Sequence, residues 1–329
     1  MQNNNITQIK SEKKFDLKEF FLQWEWLLLV LLIGILITNA SLSPNFFSFR
    51  TIMNSTTSFL DKAFMVFPMT FILLLGKIDI SVGSIVALSA VTMAMSFEAG
   101  VPMVLAIIIC LFVGAICGSI NGLLVTRYPE LPAMILTLGT QTLFRGLSYI
   151  FLENKSISGF PQWFQQFSWG KVGLIPIMAL VFIAFAVIYS LVLHRTAFGR
   201  ELKSIGFNER TSKYSGIRVE KNIILSYVLL GVMASVTAMF LASRMSSVRA
   251  DIAVGYELEV IAMAVLGGVS TNGGIGKMYG PIIAVFIIGF LRYGLGLINV
   301  SSQIITLVIG VLLIVSVLVT KLRFRKKTI

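Results

Sequence analysis

The 329-residue chain is poor in the groups that catalytic and metal chemistry use, with one histidine, two cysteines and fifteen acidic residues. Charged residues make up only 13% of it, against roughly 25% in an average soluble domain. His194 lies among basic residues at the end of an apolar run, and no His/Cys cluster stands at metal-ligand spacing. Cys110 and Cys117 share a single apolar run, where thiols pack as small hydrophobic groups. No paired carboxylates frame a pocket for acid–base work. The phosphate-loop motif fails as well, because Gly276-Lys277 is followed by Met278 and position 271, where the motif needs glycine, is Thr271. The chain is therefore expected to hold no catalytic residue, metal or cofactor. Its basic excess, 27 Lys and Arg against 15 Asp and Glu, is spread over loops, and its phenylalanines lie inside apolar runs rather than between basic residues. That pattern excludes a nucleic-acid-binding face. No cleavable signal peptide is expected, since the first two dozen residues are polar and the first apolar run has no small-residue cleavage site.

Hydrocarbon is what the sequence has in quantity, at 56% hydrophobic residues and a mean hydropathy of +0.88. Ten apolar runs, at about 27–42, 63–75, 82–97, 101–125, 133–152, 174–193, 223–243, 257–266, 281–298 and 303–319, predict an all-α polytopic membrane protein. The predicted organisation is a polar lead (1–23), a transmembrane domain (24–320) interrupted by a basic segment (194–222), and a basic tail (321–329). An even number of spans puts both termini on one side. With that side cytoplasmic, it collects the lead, Lys77, Arg127, the 194–222 segment, Lys277 and the tail, leaving only Arg50, Lys62, Lys155, Lys171, Arg244 and Arg249 outside.

Gly114, Gly118 and Gly122, at four-residue spacing, predict close approach of a second helix, within the chain or from a partner chain. The acids all fall at span edges or in loops, which argues against ion-coupled transport. Arg145 and Arg292 are the basic residues within or near spans, and snorkelling to an interface is the expectation for each. Uncharged polar residues inside spans, Asn121, Thr137, Thr140 and Gln141 among them, suit a pathway for a neutral hydroxylated solute. Three segments turn at the expected cytoplasmic face. In 76–84, Asp79 or Ser81 is placed to cap the following helix. The stretch 267–276 is glycine-rich, which allows tight turns. In 194–222, short helices punctuated by Gly206 and Gly216 form a docking platform.

Taken together, these segments resemble the permease subunits of bacterial ABC sugar importers of the ribose, arabinose, galactoside, rhamnose and autoinducer-2 group. The family hallmark Gly-Gly-Ile-Asp-Leu-Ser-Val-Gly-Ser is matched by Gly76-Lys77-Ile78-Asp79-Ile80-Ser81-Val82-Gly83-Ser84, with Lys77 in place of the second glycine. Further matches are NGLLV at 121–125, LTLGT at 136–140, RGL at 145–147, HRTAFGR at 194–200, YSGI at 214–217, GYEL at 255–258 and LGG at 266–268. The resemblance spans 24–320 and implies a ten-helix permease that pairs with itself or a sibling. Its further implied partners are a cytoplasmic ABC ATPase, an extracellular or periplasmic solute-binding protein and the lipid bilayer. By that likeness Phe207, Asn208, Glu209, Arg210, Lys213, Tyr214 and Gly216 form the coupling region seated in the ATPase, and ATP hydrolysis there drives alternating access. The sequences at 159–161 and 249–251 look most like the rhamnose and autoinducer-2 branch. A secondary carrier without an ATPase and a non-transport scaffold are the rival readings.

Overall fold

The computed structural model describes residues 24–43, 46–153 and 155–325. The lead 1–23 and residues 326–329 of the tail lie outside it. Each of the ten apolar runs is helical in whole or large part. The first run is α1 (Trp24–Leu42); α2 (Phe49–Thr56) and α3 (Leu60–Ala63) follow, and then the short α4 (Val66–Leu74). Next come α5 (Val82–Glu98), α6 (Met103–Arg127) and α7 (Ala133–Leu152). Five helices among the described residues are long and apolar enough to cross a membrane, or six if 49–56 and 60–74, bent by 58°, count as one.

Prolines set several of the starts. Pro102, Pro132, Pro161 and Pro176 each stand immediately before a helix, where the missing N–H would have had no helical partner. The link after α7 is more ordered than a polar loop. It contains β1 (Ser156–Ser158), α8 (Gln162–Trp169), and a small hairpin of β2 (Lys171–Val172) and β3 (Ile175–Pro176). Among the described residues the fold is thus helical with two minor two-stranded sheets, β1 pairing antiparallel with β4 (Ser247–Arg249). The remaining helices are α9 (Ile177–Arg195), α10 (Ala197–Phe207), α11 (Glu209–Tyr214), α12 (Val219–Met245), α13 (Tyr256–Leu266), α14 (Tyr279–Leu297) and α15 (Ser302–Arg325).

Burial separates the helices into two classes. Residues of α4 are buried on every side, as are most of α5, whereas α1, α6, α7 and α9 expose long rows of Val, Ile, Leu and Phe. In a chain built for lipid, such rows face hydrocarbon. The glycine stripe of α6 packs against α12: a Cβ at Gly118 would run into the Tyr227 carbonyl, and one at Gly122 would lie 2.8 Å from Ile224 Cα. Gly231 of α12 returns the contact on Gly114. The stripe therefore serves packing within the chain. Around α4, aromatic rings fill the space between helices, with Phe64 stacked on Phe240 at 5.1 Å and Phe67 on Tyr189 at 5.5 Å.

One of the sequence expectations needs correction. Arg145 and Arg292 do not snorkel. Arg145 donates to the carbonyls of Ala250 (2.8 Å), Ile252 (2.7 Å) and Gly83 (3.0 Å), and Arg292 pairs with Glu259. The acids do stand at helix ends or between helices, but Asp61, Asp79 and Glu257 are buried there. Asp61 pairs with Arg244 at 2.8 Å, and Glu259 with Lys62 at 2.6 Å. Desolvated charges persist only where opposite charges and hydrogen bonds meet them, and these partners come from helices far apart in sequence.

Candidate functional site

The three turns singled out in the sequence meet at one end of the molecule. α4 ends at Leu74, and the Leu74 carbonyl accepts the Gly274 N–H at 2.8 Å. Gly206, near the end of α10, fits against both groups, since a Cβ there would fall onto the Leu74 carbonyl and the Gly274 amide. A Cβ at Gly273 would lie 2.7 Å from the Gly206 oxygen and 2.9 Å from the Gly76 nitrogen. Gly76 and Gly273 also take positive φ, +70° and +89°, which costs glycine nothing. Backbone thus touches backbone at the junction of 74–76, 206 and 273–274.

α10 packs Leu202 and Ile205 into the fold, and α11 leads away from its end with only Ser212 buried. Asn208 caps α11 by accepting the Thr211 N–H at 2.9 Å, and Gly216 closes the turn behind it at φ +82°. Phe207 and Tyr214 are 68% and 93% exposed, large apolar surfaces for a short polar-faced helix to leave open. Glu209 reaches Lys77 at 3.4 Å, so the position where this chain departs from the family hallmark holds a cation that touches α11. Lys213 bonds Glu220 at 2.5 Å, which holds the ammonium above its ordinary pKa. The bond's contribution is present below the usual lysine pKa and is lost only as pH rises through the elevated one. Arg210 is exposed beside them. All seven proposed coupling residues therefore belong to one exposed unit.

The hallmark segment has two parts. Gly76 and Lys77 stay at the junction, whereas 78–84 climbs into the bundle. Asp79 Oδ1 accepts the Ser81 N–H and Ser81 hydroxyl, both at 2.7 Å, and Asn121 Nδ2 donates to Asp79 Oδ2 (3.2 Å) and Ser81 Oγ (2.7 Å). Asp79 thus fixes the approach to α5 instead of capping its first free N–H groups, and Ser81 makes no side-chain cap. Thr137 accepts the Ile80 N–H at 3.2 Å, and Thr140 bonds the Thr137 carbonyl at 3.1 Å. Asn121 and Thr137 are buried and clamp this re-entering turn; Thr140 is buried too but bonds within its own helix, and Gln141 is half-buried beside it in sequence. Gly83 and Ser84 lie deeper. A Cβ on Gly83 would meet the Glu257 carboxylate and come within 2.7 Å of the Ala253 carbonyl, so the start of α5 rests on the start of α13.

Sequence reasoning missed a second polar cluster at the heads of α3 and α13. Lys62 and Arg292 flank Glu259, Arg244 holds Asp61, and the Tyr256 hydroxyl donates to Asp61 Oδ2 at 3.3 Å. The Lys62 ammonium stands 4.4 Å from the Tyr256 ring centroid. The only local signal for it is a charged residue beside the start of an unusually short apolar run, which occurs at both Asp61-Lys62 and Glu257/Glu259. Among the described residues no group of three or more His, Cys, Asp and Glu is placed to hold a metal.

A family model described as Branched-chain amino acid transport system / permease component matches residues 51–317. The chain is 34% identical over 301 residues to the autoinducer 2 import system permease protein LsrD of Escherichia coli (strain K12), the match covering 89% of this chain and 91% of that protein. The same values hold for the protein of that name from Shigella flexneri. No solved structure matches.

Proposed function

The chain belongs to the Branched-chain amino acid transport system / permease component family, and from that premise we propose that it is the membrane permease subunit of an ATP-driven importer for a sugar or sugar-like solute. The similarity to permeases named for autoinducer 2 import supports that solute class, with a lean to autoinducer 2 or rhamnose. A separate cytoplasmic ABC ATPase docks on 207–216 and supplies the hydrolysis. A second permease, identical or sibling, completes the pathway, and an extracellular binding protein delivers the solute. The protein spans the bacterial cell membrane about ten times with both termini cytoplasmic.

One observation carries the coupling part of this reading. The exposed α11 unit joins, through backbone contacts at Gly206, both the end of α4 and the 267–276 turn. An ATPase that moves α11 would move the ends of two transmembrane elements with it, which alternating access requires. A secondary carrier would need a buried acid free to exchange its cation. Asp61 and Glu259 are ion-paired and Asp79 is hydrogen-bonded through both oxygens, whereas buried Glu257 keeps one oxygen without a partner among the described residues, so the ATP-driven reading rests on the α11 unit and not on the acids.

Co-expression with a candidate ATPase and binding protein tests it. Wild-type chain is expected to co-purify with the ATPase and restore ATP-dependent uptake of labelled sugar to a strain lacking this chain. Glu209→Lys and Gly216→Trp are expected to abolish both while the variants still reach the membrane. Normal uptake in the variants would sink the docking surface, and uptake that persists when this chain is deleted would sink the transport role.

A further inference from the structure

At the end of the molecule where the three turns meet, a cavity of about 340 Å³ lies between the start of α1, the last turns of α10 and the glycine-rich stretch before α14. Its charged lining is Lys203, Lys277 and Glu25, and its aromatic lining is Trp24 and Phe207. Of these residues the coupling reading uses only Phe207.

The walls are built by close fit. Gly268 stands at φ +83°, and a Cβ there would lie 2.7 Å from Trp24 Cδ1, so the indole rests on bare backbone. Gly274, at φ +75°, meets the Phe207 ring in the same way, at 2.8 Å. The Trp24 indole donates to the Leu266 carbonyl at 2.8 Å. That bond satisfies one of the orphan acceptors at the end of α13 and blunts the negative end of its dipole. Next to Lys277 in the chain, the Met278 N–H donates to His194 at 3.3 Å, and the His194 ring stacks on Tyr279 at 4.8 Å.

Charge decides what such a pocket can take. Lys277 pairs with Glu25 at 2.8 Å, whereas Lys203 is half-buried and makes no ion pair among the described residues. The lining therefore keeps one uncompensated cation. The backbone N–H groups of Ile275, Gly276 and Lys277, in the same lining, donate to no acceptor among the described residues. An anion with several oxygens matches both kinds of donor, and a cationic or wholly apolar ligand would leave them unmatched. Position narrows the choice of anion. Trp24 begins α1, and Leu27, Val30, Ile33 and Ile37 of that helix are exposed. On a membrane helix such residues face acyl chains, and a tryptophan at the helix end marks the headgroup level. An anion held beside Trp24 is therefore at the depth of lipid phosphates, where basic pockets between helices take anionic headgroups.

We propose that this cavity binds the headgroup of an anionic phospholipid of the cytoplasmic leaflet, with Lys203 paired to its phosphate and its acyl chains lying along α1. Because Phe207 and 274–277 wall the cavity, the bound lipid braces the coupling unit against the start of α1. The site goes beyond the importer reading and shares with it only the membrane orientation.

The test uses the complete chain, purified in detergent and given dioleoylphosphatidylglycerol and dioleoylphosphatidylcholine in equal amounts, with retained lipid counted by native mass spectrometry. The wild type is expected to retain the phosphatidylglycerol in preference. Lys203→Ala is expected to lower that retention about fivefold, the worth of one cation near an anionic lipid surface. Lys203→Glu should lower it further, and Lys203→Arg should keep it. Lys221→Glu reverses an exposed cation of the same basic segment that does not line the cavity, and is expected to change nothing. Lys203→Ala and Lys203→Arg, which add no negative charge, keep the test decisive if Lys203→Glu fails to fold. Equal retention of the two lipids, or wild-type retention in Lys203→Ala, overturns the site. Displacement of the lipid by inorganic phosphate or glycerol phosphate overturns it in favour of a soluble anion, and release of the lipid when the ATPase binds overturns it in favour of an acidic group of that partner. Lipid retention is read on this chain without ATPase or solute, so failure here leaves the importer reading standing.

Discussion

Glu259 shows how much a single residue can hold in this fold. It is the common partner of Lys62 and Arg292, with its side chain only 13% exposed and that of Lys62 only 3%. Removing one member of a buried ion pair leaves the others desolvated, at a typical cost of about 3–5 kcal/mol. Glu259→Ala is therefore expected to lower the melting temperature in detergent substantially, and Lys62→Met added to it should recover part of the loss. If the single and double variants melt alike, the pair is not what holds α3 to α13. Gly118 makes a different demand, for space. Gly118→Val would press a branched side chain onto the Tyr227 carbonyl, a backbone atom that has no rotamer with which to move aside. Overpacking of this kind costs about 1–3 kcal/mol and at times more; thermal melting should show it, and Gly139→Val, where a Cβ meets nothing within 4 Å, is the matched control. The glycine spacing was legible in the sequence because a helix repeats every 3.6 residues. The ion pairs were not. Lys62 and Glu259 lie 197 residues apart, and nothing local marks two edge charges as partners.

The helices themselves were easier to read than what joins them. The run at 133–152 coincides with α7, bounded by Pro132 on one side and by Glu153 in the left-handed region at φ +46° on the other. The span read at 174–193 begins three residues early, because 174–176 belong to the hairpin strand β3 and its turn. The 153–173 link lies between two apolar runs and α8 within it was not legible, since it is fixed by distant bonds such as Ser168 hydroxyl to the Phe240 carbonyl at 2.6 Å. The hallmark segment was read as one turn at the cytoplasmic face, whereas its second half re-enters the bundle to start α5 on α13. Its rigidity depends on Asp79. Asp79→Ala strands the Ser81 N–H and deprives Asn121 of an acceptor, at about 1–3 kcal/mol for each buried group left unsatisfied. Asp79→Asn, which keeps one acceptor oxygen, should lose less. Hydrogen exchange at the start of α5 separates the two, and equal protection in both variants would refute the role given to the carboxylate.

For the whole molecule, the proposed orientation rests on charge asymmetry between the two sets of loops. Lys62 and Arg244, counted with the outer loops in the sequence, are drawn into ion pairs inside the fold. That leaves Arg50, Lys155, Lys171 and Arg249 as the exposed cations there, against the basic 194–222 segment on the other side. Single cysteines at Tyr214 and Val254 should accordingly react with a membrane-impermeant maleimide from opposite faces of the membrane, Tyr214→Cys from the cytoplasm. The native Cys110 and Cys117 are buried and give little background. Labelling of both from one face would overturn the topology.

The junction at Gly206 has a mechanical consequence. A joint padded with side chains is soft, because rotamers shift and absorb displacement before the next element feels it. Here three chain segments bear on one another through peptide groups, with no side chain between them to yield. Such a bearing has almost no slack. A push on α11 of even a fraction of an ångström would have to be taken up by sliding α4 or by tilting the 267–276 turn. The threshold for response is then set by how firmly those two are anchored at their far ends, and for α4 and α13 that anchor is the Asp61–Arg244 and Glu259–Lys62–Arg292 cluster.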